Sequence, residues 1–475
     1  MTRPIPTLAE PPAPAPAPAP AALGQRRKAI LFFAFAFAVM ADPVSSVAYA
    51  IEAALRALGG HLELLLPTMG LVIGLIALVT VNYLQLVRAF PEGGGSPEAA
   101  GRAFGEGWAF LPIGALIVDF ALTIAISVAA AGSALIAYLP SLAGARIPID
   151  LALVAAVAAL TWFGHGGRLI FAGMTTLFLI ASIPVLAFGW IDPHMATGHA
   201  SITDSASPAL VAVILAFPVA MALATGTEAP ATSIAQLGQL RNAGRRRFGQ
   251  GTLVLTIGIV GVLTIGLTAL AVHLNVGIPP NDETQISELA RAATGDGGWF
   301  AFFQLSSGLL LLAAAASSFQ AGPGLLKALA RTGPGGEEGL LPRALGRINR
   351  HHTPVAAVVI YAVISLVIIL LASGQEQELV LVYAVAVFVS FLAGLLAMAR
   401  FSRRRGARLL TVMNVIGAIG VAFTLLVNLD RGYPLISIAA TVLIAAVLYS
   451  RWARSGRPRG IERVERTAEA DAAEG

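Results

Sequence analysis

Long apolar runs alternate along this chain with short polar or basic loops. Many of the runs exceed the roughly 18 residues that mark a membrane-crossing helix. The pattern predicts an all-α membrane protein of twelve transmembrane helices. We number them helix 1 (29–58), helix 2 (64–89), helix 3 (107–139), helix 4 (149–163), helix 5 (168–190), helix 6 (208–238), helix 7 (249–274), helix 8 (299–329), helix 9 (354–372), helix 10 (378–400), helix 11 (409–428) and helix 12 (434–452). Residues 28–452 thus form one transporter-sized membrane domain. Before it, 1–27 contains PPAPAPAPAPAA, a run that cannot pack a core and is expected to be an extended, disordered tail. After it, 453–475 is a short charged tail with neither the length for a folded core nor a phosphate-cradling loop, and is expected to be dispensable. The loop 281–298, which carries several acidic residues, is expected to include a short helix on the membrane surface.

Two of the apolar runs are interrupted. In helix 1 the stretch ADPVSSVAYAIE (41–52) places a carboxylate, two serines and a tyrosine where hydrocarbon is expected, and Asp42-Pro43 is a helix-breaking pair. Asp42 alone reads equally well as a cap for the second half-helix, with Pro43 at its first position. Helix 6 breaks at ATGTEAP (224–230), where Glu228 adds a second carboxylate at similar depth. Breaks at matching places in two runs of five helices mark an inverted-repeat secondary transporter, with its site beside the broken helices near mid-membrane. The expected architecture is a LeuT-like 5+5 inverted repeat with helices 1 and 6 broken.

Composition narrows the class. The chain is 57% hydrophobic and 12% charged, with mean hydropathy +0.79, too apolar for a soluble fold. Its net charge of +5 does not imply nucleic acid, because of the 31 Lys and Arg all but Arg56, Arg146, Arg291 and Arg431 fall in the termini and in alternate loops. That asymmetry orients the chain in the bilayer of the cell membrane with both termini cytoplasmic. Cysteine is absent, which excludes disulfides and thiolate metal sites. No Walker motif, serine–histidine pair or HExxH is present, so ATP-driven and enzymatic readings lack support, and no cofactor is expected.

Helix 3 adds Asp119, Thr123 and Ser127 at i, i+4, i+8, which share one helix face. Tyr383 on helix 10 is either an interfacial anchor or faces the interior. The candidate lining is therefore Asp42, Ser45, Ser46, Tyr49, Asp119, Thr123, Ser127, Thr225, Glu228 and Tyr383. All are oxygen ligands, suited to a hard cation whose hydration shell must be replaced. The histidines sit at helix ends or in loops, so transition-metal ligation at mid-membrane is unsupported. Three close carboxylates cannot all ionise easily, so one of Asp42, Asp119 and Glu228 is expected to carry a coupling proton. The glycine-rich cytoplasmic loop FPEGGGSPEAAGRAFGEG (90–107) reads as a flexible gate or re-entrant turn rather than a phosphate loop.

DPVSSVAYAIE in helix 1, the glycine loop, LIVDFALTIAIS in helix 3, TGTEAPA in helix 6, LPRALGRINRHHTP before helix 9 and VYAVAVFVSF in helix 10 together resemble KimA-type potassium importers, a branch of the amino acid–polyamine–organocation (APC) superfamily. The resemblance covers about 28–452. It implies proton-driven potassium uptake, with Asp42 and Tyr49, Asp119, Thr123 and Ser127, Thr225 and Glu228, and Tyr383 in the positions of the family's potassium ligands. An amino-acid or polyamine permease of the same architecture is the alternative, and cationic polyamines would also suit an acidic site. Family members carry a C-terminal cytoplasmic domain that binds a cyclic dinucleotide and helps hold a dimer. Only 453–475 follow helix 12 here, so regulation by nucleotide and dimerisation through that domain are not carried over from the resemblance.

Overall fold

The computed structural model describes residues 25–163, 167–194, 208–280, 283–331, 339–430 and 435–472, with the side chains of Gln25, Arg168, 383–385 and 469–472 left out. The Pro/Ala run and Arg431 lie outside the described residues. Among the described residues the regular structure is helical, apart from one isolated bridge between Ile348 and Pro354. Ten helices among the described residues are long and apolar enough to cross a membrane. Helix 9 (Val355–Leu371) falls just short in length, and helix 1 is divided into Gln25–Val39, Ala41–Ser45 and Val47–Ala57. The count of twelve spans depends on including these two. We call the arginine-rich end inner and the opposite end outer.

The two breaks differ in kind. Helix 1 bends but stays wound: Met40 and Ser46 keep right-handed helical angles, and the backbone bonds Val44 N–H to Met40 O (3.0 Å) and Ala50 N–H to Ser46 O (3.0 Å) run across it. Pro43 withdraws the N–H that would reach the Val39 carbonyl, and Ser45 Oγ donates locally to the Asp42 carbonyl at 2.7 Å. Helix 6 does unwind. Ala209–Ala220 tightens into a 3-10 turn, Thr225 is extended at ψ 142°, Gly226 turns at φ +74°, and short helical pieces resume from Ala229 to Gln236. The carbonyls of Ala222 and Ala224 each accept twice across this turn, from the backbone N–H and from the hydroxyl of Thr225 and of Thr227 respectively.

Helix 3 (Phe110–Tyr138) is the hub, packing on helices 8, 10 and 12. Its most apolar window is 83% buried, against 22% for the peripheral helix 4. The alanine-rich sequence lets neighbours close in; a Cβ at Gly114 would stand 2.7 Å from the Thr441 carbonyl. Helix 2 is tied to helices 10 and 11 by a buried amide network. Asn82 and Gln85 each donate to Asn414 Oδ1 at 3.1 Å, and Gln85 Oε1 accepts from Asn414 and from Ser402, each at 3.0 Å.

Three further helices lie outside the spans. Much of the glycine-rich loop is itself a helix, Gly95–Phe104, and is largely buried. The outer helix Gln285–Thr294, expected on the membrane surface, is instead wedged against helices 1, 5 and 8, with most of its residues buried. The third, Val464–Ala472, belongs to the segment that the sequence presents as a charged tail. It is packed against the inner end of the bundle.

Candidate functional site

The bend in helix 1 and the unwound turn of helix 6 meet. A Cβ placed on Gly226 would stand 2.6 Å from Asp42 Cγ, 2.8 Å from its Oδ2 and 2.8 Å from Pro43 Cδ. Glycine at 226 is required twice, by the positive φ and by this approach. Beside it runs a chain of hydroxyls. The Thr225 hydroxyl donates to the Ala222 carbonyl, so Thr225 Oγ1 accepts from Ser46 Oγ at 3.0 Å, and Ser46 in turn accepts from Tyr49 OH at 3.0 Å. Ser46 Oγ also lies 3.4 Å from the Asp42 carbonyl, a second acceptor for its proton.

Two carboxylates complete this cluster. Glu228, 8% exposed, interacts electrostatically with Asp42. Asp42 Oδ1 and Glu228 Oε2 are shut off from solvent and accept no hydrogen bond. Unsatisfied buried carboxylate oxygens demand a proton or a cation. On helix 3, Asp119, Thr123 and Ser127 are all buried, the charge of Asp119 bears on Tyr49, and Ser127 Oγ has no hydrogen-bond partner. Asp42, Ser46, Tyr49 and Thr225 are thus brought together directly, and Glu228 and the helix 3 stripe join them through the fields of Glu228 on Asp42 and of Asp119 on Tyr49. Tyr383 lies on helix 10, but its side chain is outside the described residues.

Sequence reading missed an outer group. An open cavity of about 360 Å³ lies outward of Tyr49, lined by Glu52, Arg56, Glu283, Glu376, Gln377 and Glu378 among others. Glu52, only 1% exposed, accepts from Arg56 Nε at 2.7 Å and from the Gln285 N–H at 2.8 Å. Glu376 accepts from Ser133 at 2.6 Å, and Arg146 donates to the same serine at 2.7 Å. Gln377 reaches down to the Tyr49 carbonyl at 3.5 Å, forming the floor between cavity and site. The available signal was the Glu52–Arg56 spacing of four, three turns beyond Asp42.

Comparison with known proteins bears on the family and the fold. The chain is 30% identical over 366 residues to the potassium transporter KimA of Bacillus subtilis (strain 168), which covers 74% of this chain and 58% of that protein. It therefore spans well under two thirds of that relative's length. Crystal structures of two mutants of the Eremococcus coleocola manganese transporter superpose with TM-scores of 0.50 and 0.49 at 12% identity, covering 92% of this chain and 97% of theirs. The first of these likenesses concerns the fold alone, a LeuT-type bundle. The amino acid permease family model matches residues 30–450, nearly the whole membrane domain. This chain belongs to the amino acid permease family of the APC superfamily and is a multi-pass membrane transporter.

Proposed function

We propose that the chain takes up potassium across the cytoplasmic membrane, coupled to protons, by alternating access, with both termini cytoplasmic. The observation that carries this reading is the pair of unsatisfied oxygens, Asp42 Oδ1 and Glu228 Oε2, enclosed where the two broken helices meet. With Tyr49, Thr225, Asp119, Thr123, Ser127 and Tyr383 they make an oxygen-only, acid-rich lining suited to a dehydrated monovalent cation. Because like charges share one enclosure, Asp42, Asp119 or Glu228 holds the coupling proton for part of the cycle. The name of the Bacillus subtilis relative supports potassium as the substrate.

The family model favours a second reading, an amino-acid or polyamine permease. Helix 1 weighs against an amino acid: it stays wound through Asp42, so it offers no fan of free N–H groups to a substrate carboxylate, and Asp42 would repel one. A polyamine meets neither objection.

The test is growth of a potassium-uptake-deficient bacterium expressing this chain at limiting potassium, with rubidium uptake as the direct measure. Rescue by the natural chain and none by Asp42→Asn, at equal membrane abundance, is expected. Near-normal uptake by Asp42→Asn would remove Asp42 from the site. Accumulation of radiolabelled amino acids or polyamines without rubidium would replace the substrate.

A further inference from the structure

The segment that leaves helix 12 folds back under the site. Trp452 Nε1 donates to the Pro458 carbonyl at 2.8 Å, Gly460 turns at φ +94°, and its N–H donates to the Glu106 carboxylate at 3.2 Å. Residues 461–472 then run across the inner end of the bundle, touching helix 8, the inner piece of helix 6 (Ser233–Gln236) and the helix Gly95–Phe104. Val464 and Ala468 are buried in this contact. So are two carboxylates, Glu462 and Glu465, each only 6% exposed, in a segment whose composition reads as solvated. The seat is shaped for them. A Cβ on Gly101 would stand 2.4 Å from Glu462 Cβ, and one on Gly95 would stand 3.0 Å from Glu465 Oε2 and 2.8 Å from Thr232 Cγ2. At the rim Arg466 pairs with Glu92 at 2.5 Å.

The position bears on transport. Gly95 touches both Thr232, on the inner half of helix 6, and Glu465. Tyr83, hydrogen-bonded to Ser96 at 3.5 Å, feels the charges of Glu228 and of Glu465 alike. The tail carboxylate therefore stands at the inner side of the same polar column whose middle is the site. Alternating access in inverted-repeat transporters moves one helix group against the other around a fixed site. A segment fastened both to helix 8 and to the inner piece of helix 6 resists their separation.

We propose that residues 461–472 are an inner strap: docked, they hold the inner mouth of the site shut, and each transport cycle requires them to lift. This rests on the transporter reading above and extends it to the gating of that site.

The chain has no cysteine, which makes a tether straightforward. A Cβ on Gly324 of helix 8 would lie 4.0 Å from Ala468 Cβ, within the ~3.5–4.5 Å a disulfide spans. In proteoliposomes carrying Gly324→Cys/Ala468→Cys, oxidation is expected to lower rubidium uptake at least tenfold and reduction to restore it, with each single variant unaffected. Complete cross-linking with unchanged uptake overturns the proposal. A second readout needs no substrate. Thr232→Cys, which lies beneath the strap, is labelled from the inner face by a membrane-impermeant maleimide, alone and combined with Glu462→Lys to loosen the seat. A severalfold rise in labelling supports the strap, and equal labelling overturns it. Labelling that rises in a protein moving no rubidium in any form would refute the potassium reading and leave the strap standing.

Discussion

Gly226→Ala is the sharpest probe of the site. The new methyl group would sit 2.6 Å from Asp42 Cγ and 2.8 Å from Pro43 Cδ, contacts that real Cβ atoms do not make. A non-glycine residue held at φ +74° costs about 1–2 kcal/mol. Pushing helix 1 and the helix 6 turn apart adds the ~1–3 kcal/mol usual for overpacking. The sum, about 2–5 kcal/mol, depopulates the competent arrangement by roughly 30-fold to several thousand-fold at 1.4 kcal/mol per decade. Rubidium uptake by purified protein in liposomes should therefore fall by at least an order of magnitude, and the melting midpoint should drop. Gly74→Ala is the control: it lies within helix 2 with open space around it, and alanine there should stabilise by up to about 1 kcal/mol. Combining Gly226→Ala with Asp42→Ala relieves the carboxylate clash and leaves the φ cost, so stability should partly recover while uptake does not. Wild-type stability and uptake for Gly226→Ala would refute the meeting of Asp42 with the helix 6 turn.

Ser46→Ala removes the bridge between Tyr49 and Thr225, so uptake should weaken and stability fall by about 1 kcal/mol, read from concentration dependence and melting; no change would mean the hydroxyl chain is incidental. Thr123→Val keeps the shape but deletes an oxygen, and a severalfold rise in the rubidium KM is expected if that hydroxyl faces the cation. Asn414→Leu strands the amides of Asn82 and Gln85 and should cost about 1–3 kcal/mol in a thermal melt. On the outer helix, burial and then the neighbouring Glu283 push the Glu288 carboxyl up to about 7. The folded protein thus binds more protons than the unfolded chain between about pH 4.5 and 7, so this pair's contribution to stability is present below that window and is lost as pH rises through it. Glu288→Gln should flatten the melting profile across that window, and an unaltered slope would remove Glu288 as its source.

The spans were legible in the sequence because lipid makes their requirement local: a segment must satisfy its own backbone hydrogen bonds and present apolar side chains over a fixed length. The breaks were legible for the same reason, since proline at 43 and glycine at 226 act on their own turn of helix. From these alone Asp42, Tyr49, Thr225 and Glu228 could be placed near one another. Sequence did not distinguish the bend from the unwound turn. Helix 1 keeps helical bonds across Asp42, whereas helix 6 leaves the helical conformation at Thr225 and Gly226.

Tertiary structure decided the rest, wherever the partners lie far apart along the chain. Glu52 reads as one end of a surface ion pair until Gln285 arrives to donate to it, and Glu376 reads as a helix-start carboxylate until Ser133 does. The segment 461–472 has the composition of a solvated tail. Only the shallow seat left by Gly95 and Gly101, together with Glu106 and Glu92, turns it into packed structure. Hydrophobicity is additive along a chain and can be read residue by residue. The worth of a buried charge depends on which group faces it, and that pairing exists only once the helices have packed.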